Sequence, residues 1–153
     1  MPHGAFYNAL DALAALTVSG VTQYGIQHTP EALTRAHLPA LLVLPGDTQD
    51  DRLFRERGAG FHQIAFSGGA HTLSVTVTHL LLVAPVLAAE GARAHIPALI
   101  DHVDNYFSAL GATPTLNGLL ASPAQIVVEL GTFPYSAVNY HGCAFRHTWV
   151  LEG

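Results

Sequence analysis

Apolar and polar residues alternate most regularly between Thr72 and Val83. Leu73, Val75, Val77, His79, Leu81 and Val83 fall on one side, and Thr72, Ser74, Thr76 and Thr78 on the other. That period of two is the mark of a β-strand with one dry face and one wet face. Leu80 and Leu82 interrupt the polar side, so the far end of this strand is expected to be covered on both faces. Gly60 to Phe66 reads as its partner, joined through Ser67-Gly68-Gly69-Ala70, a hairpin signal. The same alternation returns from Tyr140 to Leu151. His141, Cys143, Phe145, His147, Trp149 and Leu151 share one side; Tyr140, Ala144, Arg146, Thr148 and Val150 share the other.

Helical spacing occurs twice. Phe6, Leu10, Leu13, Leu16 and Thr17 recur three and four apart, and Ser19-Gly20 ends the run. Ile96, Leu99, Ile100, Val103, Phe107 and Leu110 form a second apolar stripe, opposite Asp101, His102, Asp104, Asn105 and Ser108, with Pro97 suited to the first turn and Gly111 to the C′ position. Thr29-Pro30-Glu31 predicts a brief third helix that Pro39 stops. Val21 to Ile26 reads as an edge strand, Ala40 to Leu44 as a buried central strand, and Ala124 to Leu130 as another strand. A connector covers 112–123, and a loop, TFPYSAVN, is bracketed by Gly131, Pro134 and Asn139. The order predicts an α+β fold: a single mixed, mainly antiparallel β-sheet with helices packed on one face, in one domain spanning 1–153.

Composition changes the picture at the surface. Half of the residues are hydrophobic and only 11% are charged, against roughly 25% in typical soluble domains. Such a shortfall points to surface hidden by partners. There is no Lys, six Arg carry all the permanent side-chain positive charge, and the formal net charge is -5. No basic stripe is present to neutralise phosphates, which speaks against sequence-specific nucleic-acid binding. Seven of the Asp, Glu and Arg residues lie within 47–58: Asp47, Asp50, Asp51, Arg52, Arg55, Glu56 and Arg57. This charged excursion reads as a solvated loop or as a loop that meets another subunit. The N-terminus has no basic region followed by an apolar core, and the run from Leu80 to Ala89 is too short to span a bilayer, so no membrane partner is expected and the cytoplasm is the default compartment.

Spacing decides between the chemical motifs. The chain has ten His. His95 and His102 stand about 10 Å apart along a helix, and His141 and His147 about 20 Å apart along a strand, too far in either case to share an ion. No HExxH, HxH or Cys-x-x-Cys occurs. Asp101 and Asp104 share a polar helix face without a visible pocket. The lone cysteine, Cys143, lies about 7 Å from same-face His141 in a strand, long for a nucleophile–base bond, and reads as a buried structural thiol. Ser67-Gly68-Gly69 and Gly58-Ala59-Gly60 match no phosphate-binding motif. A non-enzymatic protein without cofactor or metal is expected.

In order and texture the chain resembles the tail terminator and tail-completion (neck) proteins of long-tailed bacteriophages. The resemblance runs through FYNALDALAAL and VTQYG, LPALLVLPG, HTLSVTVTHLLLVAP, IPALIDHVDNYFSALG and YHGCAFRHTWVLEG, and so covers nearly the whole chain. It implies a structural virion protein, assembled in the host cytoplasm, that forms a homo-oligomeric ring, often a hexamer. Such a ring caps the tail tube, ends its polymerisation and joins it to the head–tail connector proteins. Under that reading residues 47–58 reach a neighbouring subunit or the tail tube protein, and the face of Thr72, Ser74, Thr76 and Thr78 lines a contact or a lumen. A cytoplasmic non-catalytic binding domain and a His-dependent metal enzyme are the alternatives.

Overall fold

The computed structural model describes residues 4–25, 29–44, 60–87 and 92–152. The charged excursion, with Asp47, Asp50, Asp51, Arg52, Arg55, Glu56 and Arg57, lies outside the described residues. The elements in chain order are α1 (Ala5–Ala14), β1 (Thr22–Tyr24), β2 (Ala40–Leu44), β3 (Gly60–Ser67), β4 (Ala70–Pro85), α2 (Ile96–Ala112), β5 (Gln125–Tyr135) and β6 (Val138–Glu152). They build one six-stranded sheet in the order β1-β2-β4-β6-β5, with β3 also pairing β4. Among the described residues, only the β1–β2 pair is parallel. The fold is therefore α+β with a mixed, mainly antiparallel sheet.

β4 organises the sheet. On one side its first half pairs β3, from Ala70 to Thr76, and its second half pairs β2, from Thr78 to Leu82. Its other side pairs β6 along nearly its whole length. The β3–β4 turn rests on Gly68 and Gly69, both at positive φ (52° and 91°), which glycine adopts without a Cβ clash.

The alternation along β4 and β6 separates two cores. Val75, Val77 and Leu81 with Cys143, Phe145, Trp149 and Leu151 face α1 and α2, meeting Ala9, Leu10, Leu13, Leu99, Tyr106 and Leu110. On the other face, Leu42, Leu80, Leu82, Phe133, Tyr140 and Ala144 form a smaller cluster under Leu33 and Leu38. Leu80 and Leu82 thus bury the far end of β4 on its second face, as their break in the polar pattern predicts.

Four expected elements differ. α1 stops at Ala14, short of Thr17, because the Gln23 side chain takes over its end: Gln23 Nε2 donates to the carbonyls of Ala14 and Leu16, and Gln23 Oε1 accepts from Val18 N–H. Those carbonyls are groups a helix C-terminus leaves unpaired. The helix expected after Thr29 is reduced to a single 3-10 turn, Arg35–His37, where the His37 ring accepts from the Thr34 N–H at 2.9 Å; Thr29 Oγ1 donates instead to the Gly25 carbonyl. α2 runs through Gly111 to Ala112, so Gly111 is inside the helix. The stretch expected as the loop TFPYSAVN is the end of one strand, a two-residue turn and the start of the next. Tyr135 pairs Val138, and Ser136 and Ala137 take positive φ (51° and 65°), the geometry of a type I′ turn built without Gly or Asn.

Candidate assembly face and a buried histidine chain

The four sequence-predicted β4 residues stand together on the sheet face away from the helices. Register places Thr72 opposite Glu152, Ser74 opposite Val150, Thr76 opposite Thr148 and Thr78 opposite Arg146. Thr72 and Thr148 are exposed, and Ser74 and Thr76 half-buried. Thr78 departs from the expected wet face: it is buried. Arg146 causes this. Its guanidinium reaches Glu129 on β5 at 2.8 Å and lies 3.5 Å from Thr78 Oγ1, spreading over three strands. Half of this outer face therefore stays open, and the other half is covered by the segment carrying Leu33 and Leu38, whose Pro30 carbonyl accepts from the Tyr135 hydroxyl.

The open region also carries an apolar residue: Val127 on β5, opposite Arg146, is 68% exposed. A charge-poor face with an exposed valine and a neutral ion pair suits a protein partner better than a polyanion.

Under α2 lies a feature that no local motif announced. His79, Tyr106, His147 and Trp149 are buried and linked in series. Tyr106 Oη is 2.8 Å from His79 Nδ1 and 2.6 Å from His147 Nε2, and Trp149 Nε1 is 3.1 Å from His147 Nδ1. The indole N–H can only donate, so Nδ1 of His147 is an acceptor and its proton sits on Nε2. His147 Nε2–H then donates to the Tyr106 oxygen. The Tyr106 hydroxyl in turn donates to His79 Nδ1, which puts the His79 proton on Nε2. That Nε2–H is buried and finds no acceptor among the described residues. The reverse tautomer of His79 would strand the tyrosine proton as well as the His79 lone pair, two buried groups in place of one.

Burial holds these groups neutral. It drives His147 down to about 3. It also takes His79 well below its ordinary value, with the neighbouring His147 adding to the effect. Burial raises the Tyr106 hydroxyl, as does Cys143 nearby. The Cys143 thiol is pushed up to about 12 by burial and then by the charge of Glu129, so it is a thiol and not a nucleophilic thiolate at neutral pH. The Tyr106 ring also stacks on Phe145 at 3.7 Å and 10°. The chain therefore fastens α2 to β4 and β6 through neutral hydrogen bonds and ring contacts.

The other candidates separate. The His95 ring stacks on His141 at 4.6 Å. Asp101 and Asp104 are exposed on α2. Among the described residues, no group of three or more His, Cys, Asp or Glu could hold a metal ion, and no described helix is long and apolar enough to cross a membrane. A shallow cavity of about 310 Å³ beside α1 and α2 is lined by Ala12, Ala15, Ala109 and Ala112 together with the polar Thr17, Thr113 and Asn117. No protein-family model matches the chain, and no curated protein matches it in sequence.

Proposed function

We propose that this chain is a structural subunit of a bacteriophage tail, a terminator that assembles as a ring of about six copies, caps the tail tube, ends its polymerisation and joins tail to head. The observation that carries this reading is the divided outer face of the sheet. One half is sealed by the chain's own Leu33 and Leu38. The other is open, poor in charge and carries exposed Thr72, Val127 and Thr148. A chain with only 11% charged residues has little else with which to dilute such a surface. The tail setting comes from the resemblance in sequence order, and the charged excursion at 47–58 is the second contact, reaching a neighbouring subunit or the tube.

Mixing the protein with preformed tail tubes and imaging the ends by negative stain tests the reading. A ring with a central hole on one end of each tube is expected. Tubes with bare ends, at protein concentrations well above that of the ends, rule the terminator role out.

A further inference from the structure

The outer edge of β5 is long and regular. β5 runs 11 residues, about 36 Å, and its pairing with β6 continues from Gln125 to Tyr135 without a bulge. Among the described residues no strand pairs its other side. Natural sheets protect such an edge with Lys, inward charges, bulges or proline. Here the chain has no Lys, Glu129 is held by Arg146 of its own sheet, and Pro134 sits only at the strand's end. A Cβ built on Gly131 would meet nothing within 4 Å.

The direction of the free backbone groups follows from the turn. Tyr135 and Val138 close a two-residue hairpin and exchange hydrogen bonds, so odd residues of β5 point their N–H and C=O at β6. Pro134, which has no N–H, faces Asn139, whose carbonyl accepts from Val86 on the far side at 2.8 Å. Ile126, Val128, Leu130 and Thr132 therefore present their backbone groups outward.

We infer that the free protein pairs with a second copy of itself, β5 against β5 in antiparallel register about a two-fold axis at Leu130. Leu130 is the strand's middle residue, so this register uses its full length. It places Leu130 on Leu130 of the second copy, and Val127 beside the second copy's Phe133. Glu129 falls opposite Gly131, which avoids the like-charge contact that a centre at Glu129 would create. Outward groups of Val128, Leu130 and Thr132 meet in hydrogen-bonded pairs, and with the Pro134 carbonyl the two strands exchange about eight bonds. The other open edges match β5 poorly: β1 has three residues, and β3 pairs the opposite end of β4. A two-fold contact closes on two copies, whereas a ring needs head-to-tail contacts. The dimer is thus the state of the free chain and does not rest on the tail reading.

Light scattering across a concentration series of the protein alone tests the pairing, with Leu130→Pro and Leu130→Lys beside it. Because the Leu130 N–H points outward, proline there removes no bond within the sheet, and Leu130→Lys covers the case in which proline disturbs the strand. The expected result is a two-copy mass for the native chain. Both variants should keep the circular dichroism spectrum and dissociate at least about a hundredfold more readily. Slow amide exchange at Val128, Leu130 and Thr132 should disappear with the dimer. A one-copy mass for the native chain at every concentration, or a two-copy mass that survives both substitutions, overturns the proposal.

Discussion

The indole N–H of Trp149 lies 3.1 Å from Nδ1 of His147, and this one contact sets the protonation of every group that follows it. A donor that cannot accept forces the neighbouring ring to carry its proton on Nε2, and the direction passes through Tyr106 to His79. Nitrogen NMR should accordingly find both His79 and His147 as the Nε2–H tautomer, unchanged between pH 8 and pH 5. A Nδ1–H tautomer at His147 would contradict the assignment.

The same burial makes stability depend on pH. His79 and His147 are held below the ordinary histidine value, His147 down to about 3, so the unfolded chain takes up protons near pH 6.5 that the folded chain refuses. Above that range neither state is charged and nothing is lost. As pH falls from about 6.5 towards 3, stability falls, by up to about 1.4 kcal/mol per pH unit for each histidine. Urea midpoints measured at pH 8, 6 and 5 should be level at first and then drop steeply. A flat profile down to pH 5 would mean that the two rings are not neutral in the folded state.

Replacing Tyr106 by Phe keeps the ring on Phe145 but removes the hydroxyl between two imidazoles. Nε2–H of His147 and Nδ1 of His79 both lose their partner, and a loss of about 1–3 kcal/mol is expected, read as a lower urea midpoint with an unchanged slope. An unaltered midpoint would show that water replaces the hydroxyl at no cost.

Gly142 is required where β6 passes β4. A Cβ there would run into the carbonyl of Leu81, a backbone atom that has no room to yield. Gly142→Ala is expected to cost about 3 kcal/mol or more, or to give no soluble protein, whereas Gly131→Ala, with open space around it, should fold normally. Comparing the melting temperatures of the two variants checks this directly.

These features differ in how far they could be read in advance. The sheet was legible because β4 and β6 keep a strict alternation, and because Leu80 and Leu82 mark where the second face closes. α2 was legible as a helix, and Leu99, Val103 and Leu110 pack inward as its stripe predicts, but the rest of its buried face was not legible. The pattern favoured Ile96, Ile100 and Phe107, which are exposed, whereas Tyr106 is buried. The helix is turned so that the Tyr106 hydroxyl reaches two histidines 27 and 41 residues away in sequence, a relation that periodicity cannot register. The β5–β6 turn was missed because Ser136 and Ala137 adopt positive φ without the Asn or Gly that normally signals it. Of the candidate contact residues, Thr72, Ser74 and Thr76 stand on the open face as the alternation predicts. Thr78 does not, because Arg146 reaches across from β6 to Glu129 and covers it.

The assembly reading makes separable demands on the two proposed contacts. Thr72→Arg places a charge on the open face, and Arg52→Ala with Arg55→Ala and Arg57→Ala strips the basic side chains from the charged excursion. Each should leave the melting temperature within a few degrees (for the exposed Thr72 because such substitutions usually cost about 0.5 kcal/mol or less), and each should weaken binding to tube ends in co-sedimentation by at least about tenfold. If binding is unchanged in one of them, the contact assigned to that region is wrong.

The most direct test of the account is the length distribution of tail tubes grown from purified tube subunits in the presence of increasing amounts of this protein. A terminator should shorten the distribution in proportion to its concentration and stop growth from occupied ends while subunits remain in solution. Tubes of unchanged length at every ratio would contradict the capping role.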